Sequence, residues 1–296
     1  MAPVLDWLGR HLPASGGAAP IAVSNSASSE IWNNSSRLGD FRLDRAEYDK
    51  LDRTEERMWW FAAAHANLLL LYRQISGPAA ARKPLFDAGC GTGGLLGRLA
   101  GDYPDRTVIG LDADAIACAR AAAKSARPVC AGSVNALPFA DGAFGAIFSA
   151  DVLCHRDVDE RAALAQFRRC LCDGGLLILN LPAYPWMLSR HDSAVSNVRR
   201  YTRRGVAHLL QAAGFRLVFA SYWNIVLFPI MVLTRKLLPQ AKGAVSDVRL
   251  YPAPVEALCR AATAAERAFL RCGLRFPFGG SVIAVAAKNV PGGGDA

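Results

Sequence analysis

Leu85-Phe86-Asp87-Ala88-Gly89-Cys90-Gly91-Thr92-Gly93-Gly94 reads as a strand that stops at a glycine-rich turn and gives way to a helix. The apolar start suits a buried strand, and the glycines let the backbone take positive φ and approach a ligand closely. Beyond the turn, short β-rich runs at 107–112, 128–130, 144–150 and 176–181 alternate with amphipathic spacing at 93–100, 114–125, 160–170 and 202–213. Alternation of this kind predicts a parallel sheet covered by helices. Asp114 and Thr202 stand where helix N-caps are needed. Two more apolar runs, 215–222 and 281–287, bring the expected strands to seven. If the last strand pairs antiparallel beside the sixth, the residues between them form an insertion in that hairpin.

Around this frame the chain of 296 residues can bury one substantial core with additions, but it is short for two full domains. The expected organisation is a mobile tail at 1–40, a helical cap at 41–80, a core at 81–223 plus 281–289, a basic and apolar insertion at 224–280, and a tail at 290–296. The first tail is rich in Ala, Ser, Gly and Asn without hydrophobic periodicity. Asp6 and Arg10 interrupt the opening residues, so no secretory signal is supported. The eight cysteines show no paired metal-ligand spacing, which argues against a metal site and for a reducing, cytoplasmic location. The net charge of +9 is concentrated late in the chain: residues 197–275 hold 13 Lys or Arg against Asp247, Glu256 and Glu266. A basic face attracts nucleic acid, anionic lipid or an acidic small molecule. No nucleic-acid motif with interleaved aromatics accompanies it, which argues against nucleic acid as partner.

The spacing of Gly89, Gly91 and Gly94 also satisfies the dinucleotide pattern, so the glycines alone leave NAD and S-adenosylmethionine both open. Asp87 favours the second. Two residues before the first glycine, its carboxylate can accept hydrogen bonds from an amino-acid ammonium, whereas a pyrophosphate would be repelled there. At the end of the next strand, Asp112 offers a bidentate acceptor to a ribose diol, with Ala113 beside it.

From these residues the chain resembles the class I S-adenosylmethionine-dependent methyltransferases, in particular the ubiquinone-methyltransferase-like domains of type 11 and type 12. The resemblance covers roughly residues 85–220. It implies a Rossmann-like, seven-stranded, mostly parallel sheet with an antiparallel last strand and helices on both faces, and S-adenosylmethionine as cofactor. The family's cofactor positions fall here on Asp87, Gly89, Gly91, Gly93, Asp112, Ala113, Ser133, Val134 and Asp151. Gly132-Ser133-Val134-Asn135-Ala136-Leu137-Pro138-Phe139 resembles the stretch that holds adenine, with Ser133 where the family has an acid and Gly145 where it has Asp. Both departures would either weaken the adenine contact or leave it to backbone amides. Asp151-Val152-Leu153-Cys154-His155 resembles the loop under the cofactor, and Cys172-Asp173-Gly174-Gly175 the turn into strand five.

Methyl transfer from a sulfonium requires alignment of nucleophile and methyl carbon and, for some acceptors, removal of a proton. His155 and His191 are the candidate bases. Tyr184, Trp186, Arg199, Arg200 and Tyr201 follow strand five, where this fold opens towards the methyl group, and with Trp60 they are the candidate acceptor contacts. Ser149-Ala150-Asp151-Val152 replaces the Asn-Pro-Pro-Tyr type of sequence, which disfavours adenine or glutamine methylation. Residues 217–234 are uncharged, but strand six consumes the first part and Pro229 sits in the rest, leaving about half a membrane span. Residues 223–236 therefore suit a bilayer surface or the roof of an apolar pocket. The expected activity is methyl transfer to a small or lipid-like acceptor, at oxygen, in a cytoplasmic protein able to associate with membrane. An NAD-dependent oxidoreductase and a non-catalytic scaffold that keeps the fold are the alternatives.

Overall fold

The computed structural model describes residues 45–237 and 248–289. The expected tails at 1–40 and 290–296 and part of the expected insertion, 238–247, lie outside the described residues. In chain order the elements are α1 (Arg45–Thr54), α2 (Trp59–Ile75), α3 (Pro78–Ala81), β1 (Leu85–Ala88), α4 (Gly94–Asp102), β2 (Val108–Asp112), α5 (Ala115–Ser125) and β3 (Val129–Ala131). They continue with β4 (Phe144–Ala150), α6 (Glu160–Cys170), β5 (Leu171–Pro182), α7 (Arg190–Ala194), α8 (Arg203–Ala212), β6 (Phe215–Trp223), α9 (Phe228–Val232), α10 (Ala253–Arg271) and β7 (Ser281–Lys288).

The sheet has the order β3-β2-β1-β4-β5-β7-β6. Strands β1 to β5 pair in parallel, and β7 runs antiparallel between β5 and β6. Side chains alternate across it as the pleat demands. Phe86, Ile147, Leu177 and Leu179 face one layer with Leu164 and Phe167 of α6 and Val206 and Leu210 of α8. Leu85, Phe148, Leu176 and Ile178 face the other, with Leu68, Leu71 and Tyr72 of α2 and Leu96 and Leu99 of α4. In the first layer the Phe86 ring stacks on Phe144 and meets Phe139 edge-on. Rings this deeply buried each contribute roughly 1.5–3 kcal/mol. The N-caps behave as their residue types require: Asp114 accepts from Ile116 N and Ala117 N, and Thr202 from Gly205 N.

Within the segment expected as a helical cap, α1 lies over the glycine turn and α2 forms part of the helical layer under the sheet. Asp49, Asp52 and Glu55 form an acidic stripe at helical spacing that meets Arg120 and Lys124 of α5, with Lys124 Nζ 2.7 Å from Asp52 and in contact with Glu55. Within the segment expected as an insertion, α10 packs along α2. Glu256 accepts from Trp59 N at 2.8 Å, satisfying an amide at the start of α2, and from Tyr251 N at 3.1 Å. Glu266 accepts from Asn224 N at 2.7 Å and Val226 N at 3.0 Å, fixing the exit from β6.

Candidate cofactor and acceptor site

The glycine turn is held to β2 by its backbone. Gly89 N and Cys90 N both donate to Leu111 O, at 2.8 and 2.9 Å, and Gly91 N donates to Asp112 Oδ2 at 2.9 Å. Asp114 N donates to Asp112 Oδ1 at 3.0 Å, so each Asp112 oxygen has one backbone partner and keeps capacity for a second donor. Burial pushes the Asp112 carboxyl up, and the backbone amides of Asp114 and Gly91 work against that. A Cβ on Gly89 would lie 2.3 Å from Val152 Cγ2, so the absence of a side chain brings the turn onto the loop after β4. Gly93 packs the same way against Ala121 of α5. Gly91 alone of the three opens outward, with only Leu51 of α1 near its Cβ position, at 4.0 Å.

Asp87 ends β1 beneath this lip. It is 1% exposed, and its Oδ2 meets no hydrogen-bond donor. Burial, with the charges of Asp112 and Glu55 added, pushes its carboxyl up to about 8. A buried carboxylate oxygen without a donor costs free energy that an arriving ammonium would recover. The amino-acid end of S-adenosylmethionine carries such a group, so Asp87 and the open backbone at Gly91 fit that cofactor. Glu55 closes the far side of the turn by accepting from Thr92 Oγ1 at 2.7 Å. Behind it His65 is buried and held neutral, its pKa lowered to about 3 by desolvation and by Arg98 and Lys124.

In the stretch expected to hold adenine, Ser133 Oγ accepts from Asn135 N at 3.2 Å, and Asn135 bridges to the 157–159 loop through Asp157 O and Asp159 N. Val134 is buried and Ala113 is exposed beside Asp112. Gly145 lies elsewhere. It is the second residue of β4, at the other end of that strand from Asp151, where a Cβ would stand 2.1 Å from Ala80 O, so its lack of a side chain admits α3 to the sheet.

The candidate acceptor end gathers at the C-terminal ends of β4, β5 and β6. Asp151, at φ 55°, receives both carboxylate contacts from Asn180 Nδ2, each at 3.2 Å, while its own N donates to Asn180 O at 2.8 Å. Trp223 Nε1 donates to Asn180 Oδ1 at 2.7 Å. Because an indole only donates, this bond orients the amide and turns its NH2 towards Asp151. Burial pushes the Asp151 carboxyl up to about 7, against the pull of Asn180 and Arg200. Trp60 lies over Trp223 with ring centroids 6.0 Å apart. Outside this group Tyr184 stacks on Tyr222 at 5.1 Å and touches Trp186 and Phe228, and Phe228 touches Phe278.

Other sequence candidates serve as internal ties. Arg200 Nη2 pairs with Asp192 at 2.9 Å, both nearly fully buried, and Arg200 also donates to Ala183 O. Arg199 donates to the carbonyls of Leu153, His155 and Val158. Tyr201 Oη contacts Leu153 O at 2.8 Å and Glu160 at 2.7 Å. The cations expected to meet an acidic acceptor are thus spent on building the loop that surrounds it. His155 lies in the loop so pinned, where burial lowers its pKa, and His191 sits on α7 in the turn stapled by Asp192.

The sequence model of the family described as "Methyltransferase domain" matches residues 86–179, from the strand before the glycine turn to the Asn180 corner. The chain carries a class I methyltransferase domain, whose cofactor is S-adenosylmethionine. No curated protein matches it in sequence. Among solved structures, geranyl diphosphate methyltransferase with SAM superposes at TM-score 0.51, 16% identity, over 76% of this chain and 85% of that one. A Haloferax volcanii chain assigned as a methyltransferase, solved with the Trm112 methyltransferase activator, gives TM-score 0.52 and 16% identity over 83% and 95%. Phosphoethanolamine N-methyltransferase 2 of Haemonchus contortus gives 0.50 and 16% over 76% of this chain and 52% of its own. At these identities the likeness is one of fold.

In this methyltransferase domain the groups that sequence reading missed are Glu55, Trp223 and the role of Asn180. Glu55 falls in the turn after a polar helix, and Trp223 and Asn180 acquire meaning only from a bond across 43 residues. The polar Asn180, 0% exposed inside an otherwise apolar strand, is the one signal that could have pointed to them.

Proposed function

We propose that the protein transfers a methyl group from S-adenosylmethionine to an oxygen of a small or lipid-like acceptor, with Asp151 as the proton acceptor. Asp87 would hold the cofactor's ammonium, Asp112 its ribose diol, and Ser133 and Val134 its adenine. When bound, S-adenosylmethionine supplies an electrophilic methyl carbon whose transfer leaves a neutral thioether. The observation that carries the assignment is the Asn180 bridge. It fixes a half-buried carboxylate at the end of β4, one residue from the Val152 contact with Gly89, with a pKa of about 7. A base is most effective when its pKa lies near the working pH. Asp151 can then take the acceptor's hydroxyl proton as the C–O bond forms. Arg200, 8% exposed and committed to Asp192, stabilises the ionised carboxylate from behind.

The aromatic walls support an apolar acceptor. Tyr184 and Phe228 line the approach. Trp186 at 52%, Leu188 at 40%, Ile230 at 57% and Phe278 at 41% exposure surround them. An exposed apolar rim of this kind marks a binding surface, and it supports delivery of a lipid-like acceptor from a bilayer. Among the described residues no helix is long and apolar enough to cross a membrane.

Asp151→Asn tests the assignment. The expected outcome is a fall in kcat of about 100-fold or more, with the affinity for S-adenosylhomocysteine unchanged and the rising limb of the pH–rate profile near 7 abolished. Full turnover and a wild-type profile in the D151N enzyme would return the role to His155 or His191.

A further inference from the structure

The surface of the chain holds a cavity of about 390 Å³ away from the strand ends. Arg73, Arg98, Arg267 and Arg271 line it, over a floor of Ala66, Leu69 and Leu70. It lies where α2, α4 and α10 all reach their C-terminal ends. Helix α4 starts at the glycine turn and carries Arg98 about 6 Å, and Gly101 and Asp102 about 10 to 12 Å, along its axis from Gly94, and the cavity shares no lining residue with the cofactor lip.

The charges there do not balance. Arg73 pairs with Asp102 at 2.5 Å, whereas no carboxylate among the described residues stands within ion-pair distance of Arg98, Arg267 or Arg271. The acids of α10 cannot answer them, since Glu256 and Glu266 point inward onto backbone amides. Burial and neighbouring guanidiniums push Arg98 and Arg267 down from the ordinary arginine range. Asp102 and Glu56 act on Arg98 from a distance, but four guanidiniums line the cavity, so positive charge remains in excess over its apolar floor.

We infer that this groove binds the phosphoryl group of a compact anionic ligand, with Arg98 and Arg267 as its principal contacts. Planar guanidiniums suit phosphate oxygens bidentately, and the Leu69 and Leu70 floor suits an organic portion attached to the phosphate. The same chemistry is offered by a free organic phosphate and by an anionic lipid headgroup.

Calorimetric titration of the full chain with inorganic pyrophosphate, beside pelleting with phosphatidic acid vesicles, tests the inference and separates the two sources. Arg98→Gln/Arg267→Gln is the comparison. In one arm or the other we expect a saturable, salt-sensitive interaction at least 10-fold weaker in the double variant. Its S-adenosylhomocysteine affinity should be unchanged, and its melting temperature unchanged or higher, because like charges have been removed. Response to pyrophosphate identifies a soluble ligand, and response to vesicles alone identifies a headgroup. Absence of saturable binding in both arms, or binding equally strong in the variant, overturns the site. Arg98→Gln alone, read the same way, serves if the double variant does not fold.

Discussion

The two ends of the active site are finished in opposite ways. At the cofactor end the chain leaves Asp87 Oδ2 buried without a donor and Gly91 open, so burial opposes ionisation of the carboxyl in the apoprotein and an arriving cation would favour it. At the acceptor end polar groups are already answered: Asp192 by Arg200, Tyr201 by Glu160, and Asn180 by Asp151 and Trp223. The first end is poised for one fixed ligand. The second is a rigid frame whose open surface is aromatic, and it can change acceptor by changing rim residues without disturbing the frame.

The largest effect that would sharpen this contrast is on stability. Asp192→Ala strands the Arg200 guanidinium, at 4% side-chain exposure, and should cost about 3–5 kcal/mol in urea denaturation, with cofactor affinity retained in the folded fraction. A loss under about 1 kcal/mol would mean that the frame is not held by this pair.

Asp87→Asn should act in the opposite direction. The native carboxyl titrates at about 8 against an ordinary 3.8, so the native state holds its proton more tightly than the unfolded chain. Wild-type stability therefore declines as pH rises from about 4 to about 8, and the amide variant escapes that decline. At about pH 8.5 its melting temperature should exceed wild type by several degrees, on the order of 1–2 kcal/mol, while S-adenosylhomocysteine binding falls about 100-fold. A variant less stable than wild type at that pH would show that Asp87 is satisfied without ligand.

The smallest effect concerns the rim. Trp186→Ser, at a position 52% exposed, should change stability by no more than about 0.5 kcal/mol yet weaken pelleting with liposomes severalfold. Unchanged pelleting would separate the aromatic rim from any membrane contact.

The glycine turn was legible because its residues are contiguous and its chemistry is local. The seven strands were legible for the same reason, through alternation with helices. Helix α10 was not, because its buried face is Glu256, Cys259, Thr263, Glu266 and Leu270, while Val255, Leu258 and Phe269 are exposed. Two of those buried positions are carboxylates serving distant amides, which inverts the usual pattern of apolar inside and polar outside. Arg199, Arg200 and Tyr201 misled in the same manner. A cation or phenol in a loop at the strand ends resembles a ligand contact until its partners, up to 48 residues away, are seen.

Strand β7 follows every other strand among the described residues, yet it sits between β5 and β6. During synthesis both neighbours therefore exist before the strand that separates them, each with an unsatisfied edge. The buried segments Leu176–Leu181 and Phe219–Trp223 would meet water or each other in the meantime. The same delay holds for α2, whose first amide waits for Glu256, 197 residues downstream. A nascent chain of this protein thus depends on α10 and β7 to complete the sheet and its helical layer, and the intermediate that still lacks them is the form most exposed to mispairing and to chaperone capture.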